Sequence, residues 1–164
     1  MVYKEIPTSV ATFMETITDL CGETHADWAK NFNAAFANTL LTTVKRHEDG
    51  TTFLLTGDIP AMWLRDSTAQ VRPYLVIAKE DEDLASMISG LVKKQFYYIT
   101  IDPYANAFNE SANGAGHQTD DTEMNDWIWE RKYEIDSLCY PIQLAYLLYK
   151  NIGRTDQFND DFVT

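Results

Sequence analysis

The 164-residue chain carries 13 Lys and Arg against 25 Asp and Glu, a formal net charge of −12, with 45% hydrophobic and 13% aromatic residues. That length corresponds to one domain or part of a larger one, and the apolar share is enough for a packed core. The negative field excludes nucleic acid and anionic membrane surfaces as partners, since no basic stripe offsets it, and it leaves a neutral polar ligand such as a sugar unaffected.

The start, MVYKEIPTSV, lacks a charged segment followed by an apolar one. No apolar run approaches the roughly 18 residues of a spanning helix, so a cytoplasmic location is expected. From Thr8 to Leu20, Val10, Phe13, Met14 and Ile17 share one side of a helix that Gly22 ends. Cys21 and Cys139 are far apart with no His or Cys at metal-ligand spacing, which predicts two buried free thiols in a reducing compartment. Trp28, Phe32, Phe36, Leu40 and Val44 recur every four residues and predict the core face of a second helix. A polar turn, His47 to Gly50, precedes Thr51 to Leu55, which is either a strand or an extended lead-in.

Ser67 and Gln70 fit a capping box that opens a helix through Val71, Leu75 and Ala78, with Pro73 implying a kink or a later start. Glu82 to Ile99 reads as a helix burying Leu84, Met87, Ile88, Leu91, Val92 and Phe96. Thr100 to Asp126 lacks periodicity and carries Pro103, Gly114 and Gly116, so it is a long loop, functional in character, with Tyr104, Phe108 and His117 arguing for order. Its Asn109-Glu110-Ser111 triplet matches a glycosylation sequon, which matters only in a secreted protein. Trp127 to Lys150 is predicted helical, with Leu138, Ile142, Ala145, Leu148 and Tyr149 as its apolar stripe and Gly153 as its cap. Thr155 to Phe162 then begins an amphipathic segment with no evident packing partner before Thr164, and the whole reads as the front part of an all-α domain.

Three constellations carry chemistry. In Asp58, Trp63, Arg65 and Asp66, an Arg-Asp pair offers donors and acceptors to vicinal hydroxyls while the indole stacks on a pyranose, although a helix N-cap at Asp66 with a surface salt bridge explains the same spacing. The loop from Asp102 to Asn109, continuing to His117 and Gln118, holds amides, a Tyr and a His, which suit either a hydroxyl-rich ligand or turn formation. In Trp127 to Ser137, a helical start would place Glu130 and Glu134 on one face, as an acid-base pair or as ion pairs with Arg131 and Lys132. The acidic run Asp120, Asp121, Glu123 and Asp126 lacks the glycine and terminal Glu of an EF-hand loop, so no metal is expected there.

The strings TGDIPAMWLRDSTAQVRPYL, DPYANAFN and WIWERKYEIDSLCYP resemble the metal-independent exo-α-1,6-mannosidases of glycoside hydrolase family 125, and the resemblance runs from the first helix to Tyr149. It implies an (α/α)6 barrel that releases non-reducing terminal α-1,6-linked mannose with inversion, without a cofactor. Members are more than twice this length, so the resemblance covers their N-terminal portion. It implies that the general acid, an aspartic acid, and the general base, a glutamic acid, lie C-terminal to Thr164. No catalytic residue is therefore expected in this chain. By the same resemblance, residues 1–164 build one wall of the −1 subsite for a mannose-containing oligosaccharide or N-glycan fragment. Arg65 and Asp66 would hold sugar hydroxyls, Trp63 would shape the pocket, and Asn106, His117 and Glu130 would add contacts. The alternatives are a glucoamylase-like exo-glycosidase of the same fold and a non-catalytic carbohydrate-binding fragment. A partial barrel would expose apolar helix faces and is expected to self-associate.

Overall fold

The computed structural model describes residues 3–164. Its helices bury the predicted apolar stripes only in part, and hydrogen bonds both local and tertiary set ends that the periodic pattern does not show. Helix α1, Thr8–Cys21, follows Pro7 and stops where Gly22 takes a positive φ of 57°. It packs on α2, Ala26–Asn38, through Phe13, whose ring lies 5.6 Å from that of Phe36. The second predicted stripe holds only in its middle. Trp28 is exposed and stacks on His25, and the helix loosens into a wider turn at Thr39–Thr43, so Val44 is already extended. The Thr42 and Thr43 hydroxyls donate to the Asn38 and Thr39 carbonyls, which competes with regular helix at its end.

Strand β1, Val44–Arg46, pairs antiparallel with β2, Thr52–Leu54, so the strand option for Thr51 to Leu55 is the one realised. This hairpin lies on α4, Glu82–Ile101, the most buried helix, which Asp81 caps by accepting from the Leu84 N–H at 2.9 Å. Gly90 permits that approach: a Cβ there would stand 2.5 Å from the Gly50 carbonyl and 2.7 Å from Thr52 Oγ1.

The capping box does not form. Helix α3, Leu64–Val71, begins three residues before Ser67, because the Asn106 carbonyl accepts the Leu64 N–H at 3.1 Å and starts it from outside. Ser67 is buried inside the helix and donates to the Leu64 carbonyl. At Arg72–Val76 the chain tightens into a 3₁₀ turn that contains Pro73, which is the predicted kink.

The all-α expectation needs a second correction. Strands β3, Met62–Trp63, β4, Ala107–Phe108, and β5, Ile128–Glu130, form a small antiparallel sheet in the order β3-β4-β5. The long loop is thus interrupted by β4, and Trp127 to Glu134 is strand and turn. Helix α5 spans Ile135–Ile152 and ends at Gly153 with φ 73°. Glu130 and Glu134 consequently do not share a helical face. Of the α5 stripe, Ala145 and Leu148 are buried while Ile142 and Tyr149 are exposed. The last segment does find a partner: in α6, Asp160–Val163, the Phe162 ring lies 4.4 Å from that of Phe96 on α4. Thr164 closes that turn, its N–H and hydroxyl both donating to the Asp160 carbonyl, at 3.2 and 2.8 Å. The thiols are free, but Cys21 is only half-buried and Cys139 is exposed, against the expectation of two buried ones. Asn109 of the sequon is 1% exposed.

Candidate functional site

The site is set by strand register. Trp63 stands opposite Ala107, and Ala107 opposite Glu130, so these three share one face while Met62, Phe108 and Ile128 face the core. Ala107 is small enough for the indole to reach across it, and Trp63 hydrogen-bonds the Glu130 carboxylate. Register slips between Ala107 and Phe108, where Trp129 is the extra residue of a bulge. The bulge packs on the loop: the His117 N–H donates to the Trp129 carbonyl at 2.8 Å, and Gly116, with φ 102°, lies so close to the Trp129 backbone that no Cβ would fit.

Glu130 is the centre of this face, with 12% of its side chain exposed. Oε2 accepts from Asn106 Nδ2 at 2.8 Å and Oε1 from Lys132 Nζ at 2.7 Å, while His117 Nε2 stands 4.0 Å away and half-exposed. Burial pushes its pKa up, but the bonds from Lys132 and Asn106, the Lys132 charge and the Trp63 bond outweigh it, and the net shift is downward. Glu130 is therefore an ionised acceptor rather than a proton donor at neutral pH.

Arg65 is the second residue of α3, two beyond the end of β3. Its Nη1 lies 3.0 Å from Asp136 Oδ2 and 3.7 Å from Glu134 Oε2, and its Nη2 lies 3.4 Å from Asp66 Oδ2. The Asp136 bond raises the guanidinium pKa against the opposing effect of burial, and the Asp66, Asp136 and Glu134 charges add to the rise. The Asp66 N-cap alternative does not apply, since α3 begins at Leu64.

Six of the seven sequence candidates thus gather at the junction of the sheet with α3: Trp63, Arg65, Asp66, Asn106, His117 and Glu130. Asp58 does not; it is exposed in the turn before β3 and bonds to none of the described residues. Lys132, Glu134 and Asp136 complete the cluster. Their charge density was visible in the sequence, but their pairing with Glu130 and Arg65 depends on where α5 starts. Thr164, beyond which the acid and base are expected, bonds to Asp160 and to none of these side chains. Among the described residues, no group of three His, Cys, Asp or Glu side chains is placed to hold a metal ion, and no helix is long and apolar enough to cross a membrane.

The family profile described as metal-independent alpha-mannosidase, GH125, matches residues 25–164. The chain belongs to this family. A solved GH125 α-mannosidase from Streptococcus pneumoniae, described as a non-productive substrate complex with alpha-1,6-mannobiose, superposes with a TM-score of 0.93 at 52% identity over 99% of this chain. The meiotically up-regulated gene 157 protein of Schizosaccharomyces pombe is 39% identical over 73% of this chain. The chain spans 38% of the solved GH125 chain and 26% of the fission-yeast protein. Its helical architecture is thus that of a GH125 α-mannosidase over the shared part.

Proposed function

We propose that this chain forms one wall of the −1 subsite of an exo-α-mannosidase that releases non-reducing terminal α-1,6-linked mannose with inversion. The observation that carries the reading is the row Trp63, Ala107 and Glu130, continued by Arg65. It sets an aromatic face, an ionised acceptor and a guanidinium donor side by side, as a pyranose with vicinal hydroxyls requires. Asp66 and His117 lie where they can add hydroxyl contacts, and Asn106 and Lys132 fix the carboxylate. The general acid and base belong, in this reading, to a further part of an (α/α)6 catalytic domain C-terminal to Thr164, and residues 1–164 are its N-terminal portion. Family membership and identity to an α-mannosidase favour mannose over the glucose of a glucoamylase-like enzyme.

A cytoplasmic location is part of the same proposal, supported by two free thiols, one of them exposed. The exposed Ile135, Ile142, Tyr146 and Tyr149 on α5 support self-association of the isolated chain.

The test is incubation of the 164-residue chain with α-1,6-mannobiose, paired with calorimetric titration by mannose. Binding without turnover is expected, and it is to be lost in Glu130→Gln. Rapid hydrolysis by the chain alone would overturn the division of labour, and absence of mannose binding would overturn the subsite.

A further inference from the structure

The turn between β1 and β2, the middle of α4, the residue before β5 and the start of α6 border a cavity of about 450 Å³, within the size range of small-ligand sites. Lys94 lines it and is itself only 7% exposed. Its Nζ lies 5.0 Å from the ring centroid of Tyr98, 5.3 Å from that of Tyr97 and 5.6 Å from that of Trp127. No acceptor among the described residues lies within hydrogen-bond distance of this ammonium. Burial pushes its pKa down, and the Asp49 and Glu110 charges oppose that shift without cancelling it. A buried polar group ordinarily meets a partner, and the direction left open to Lys94 is the cavity.

The other walls say what that partner is. Trp127 stands edge-on to Tyr97, with centroids 5.6 Å apart at 82°, which makes a right-angled aromatic corner. Asp49 accepts the Thr51 N–H and hydroxyl through Oδ1 alone, at 2.8 and 2.7 Å, and these bonds hold its pKa down, so Oδ2 is an ionised, uncommitted acceptor. Asp161 accepts from Asn159 through Oδ2, leaving Oδ1. Lys93 also borders the cavity, but its charge is matched by Asp156 at 2.6 Å. Two carboxylates therefore face one unmatched ammonium, an arrangement that repels an anion. Donor, acceptors and flat apolar rings around a small volume fit a neutral ring with several hydroxyls, which accepts from Lys94 and donates to Asp49 and Asp161. None of these side chains belongs to the Trp63 and Glu130 row. Tyr98 stacks on Phe108 at 4.6 Å, and Phe108 faces the core, so the Lys94 cluster lies on the other side of the β3-β4-β5 sheet.

We propose that the cavity lined by Lys94, Trp127, Asp49 and Asp161 is a second binding site, separate from the Glu130 wall, for a neutral pyranose or similar polyhydroxylated ring. Its test is NMR titration of the full chain with methyl α-glucoside and with methyl α-glucuronide, which has the same ring with a carboxylate added. The Trp127 indole N–H reports on the cavity and the Trp63 indole N–H on the wall. The Trp127 signal is expected to move saturably with the glucoside at millimolar Kd, and within about twofold of that value in Glu130→Gln. The glucuronide should bind at least about threefold more weakly. Lys94→Met, which keeps the aliphatic stem without the donors, should weaken glucoside binding by about fivefold or more. A Trp127 signal that stays still, a glucuronide that binds as tightly as the glucoside, or a folded Lys94→Met chain with unaltered affinity would each overturn the site. The two sugars decide the matter in the unaltered chain even where the variant does not fold. A still Trp63 signal beside a moving Trp127 signal would count against the wall and leave the cavity standing.

Discussion

Asn106 Nδ2 donates to Glu130 Oε2 over 2.8 Å, while Asn106 Oδ1 accepts the Lys132 backbone N–H at 3.1 Å. The Asn106 carbonyl meanwhile starts α3 by accepting the Leu64 N–H. A single buried residue of β4's lead-in thus sets the position of the carboxylate, of the strand's exit and of the helix that presents Arg65. Its place in the site is that of an organiser, with most of its hydrogen-bonding capacity spent inside the protein.

Removing the Asn106 side chain leaves the Lys132 N–H and one Glu130 oxygen short of a partner. Asn106→Ala is expected to destabilise the fold by about 1–3 kcal/mol, read as a lower urea midpoint at unchanged slope. In Asn106→Asp two carboxylates face each other, so one titrates above its unfolded value. Stability of this variant should be greatest in acid and be lost as pH rises through that raised folded pKa.

The depressed Glu130 pKa has the opposite sign. Its contribution is present above the unfolded carboxyl range, near about 4.3, and is lost as pH falls through the folded value. Lys132→Met removes the strongest favourable partner and should move the carboxyl titration upward in a carbon-detected NMR experiment. A titration curve that does not move would show that Asn106 and Trp63 hold the carboxylate unaided.

Gly90→Ala tests the contact between α4 and the β1-β2 hairpin. In an open helix alanine is favoured over glycine by roughly 0.5–1 kcal/mol. Here the added methyl meets the Gly50 carbonyl at 2.5 Å, so the hairpin must shift. The expected result is a net loss of about 1–3 kcal/mol in chemical denaturation. A gain in stability would show that the hairpin yields freely.

Arg65 sits among three carboxylates, and its charge is what keeps Asp66, Glu134 and Asp136 together. If the proposed function holds, Arg65→Ala in an enzyme that carries this wall together with its acid and base is expected to lower kcat/KM by about 2 kcal/mol in transition-state terms. Arg65→Lys should restore little of it, because a single ammonium cannot span acceptors on two sides. Unchanged kcat/KM in Arg65→Ala would remove this residue from the site.

Much of the architecture was legible locally. The α4 stripe from Leu84 to Phe96 repeats at helical spacing and is buried as the pattern requires, because a helix with one apolar face has only one way to hide it. Gly22 and Gly153 ended their helices where expected, since both take a positive φ that other residues resist. Trp63, Arg65 and Asp66 were legible as a candidate site because so much polar and aromatic chemistry in few residues is unsuited to a core. Glu130 and Glu134 were visible as chemistry but not as geometry. Helical spacing put them on one face, whereas Ile128–Glu130 pairs with β4 and delays α5 until Ile135.

What the sequence by itself determined is therefore the family, the main helices and the polar and aromatic residues of the candidate site, all of which depend on short-range spacing. Tertiary structure alone decided the small β3-β4-β5 sheet, the start of α3 at Leu64 and the separation of Glu130 from Glu134. Strands of two or three residues carry too little pattern to announce themselves, and their pairing joins segments as distant in the chain as Met62 and Phe108. Asn106 illustrates the limit. Its amide group is ordinary in a loop composition, and only the folded chain brings Leu64, Glu130 and Lys132 to it.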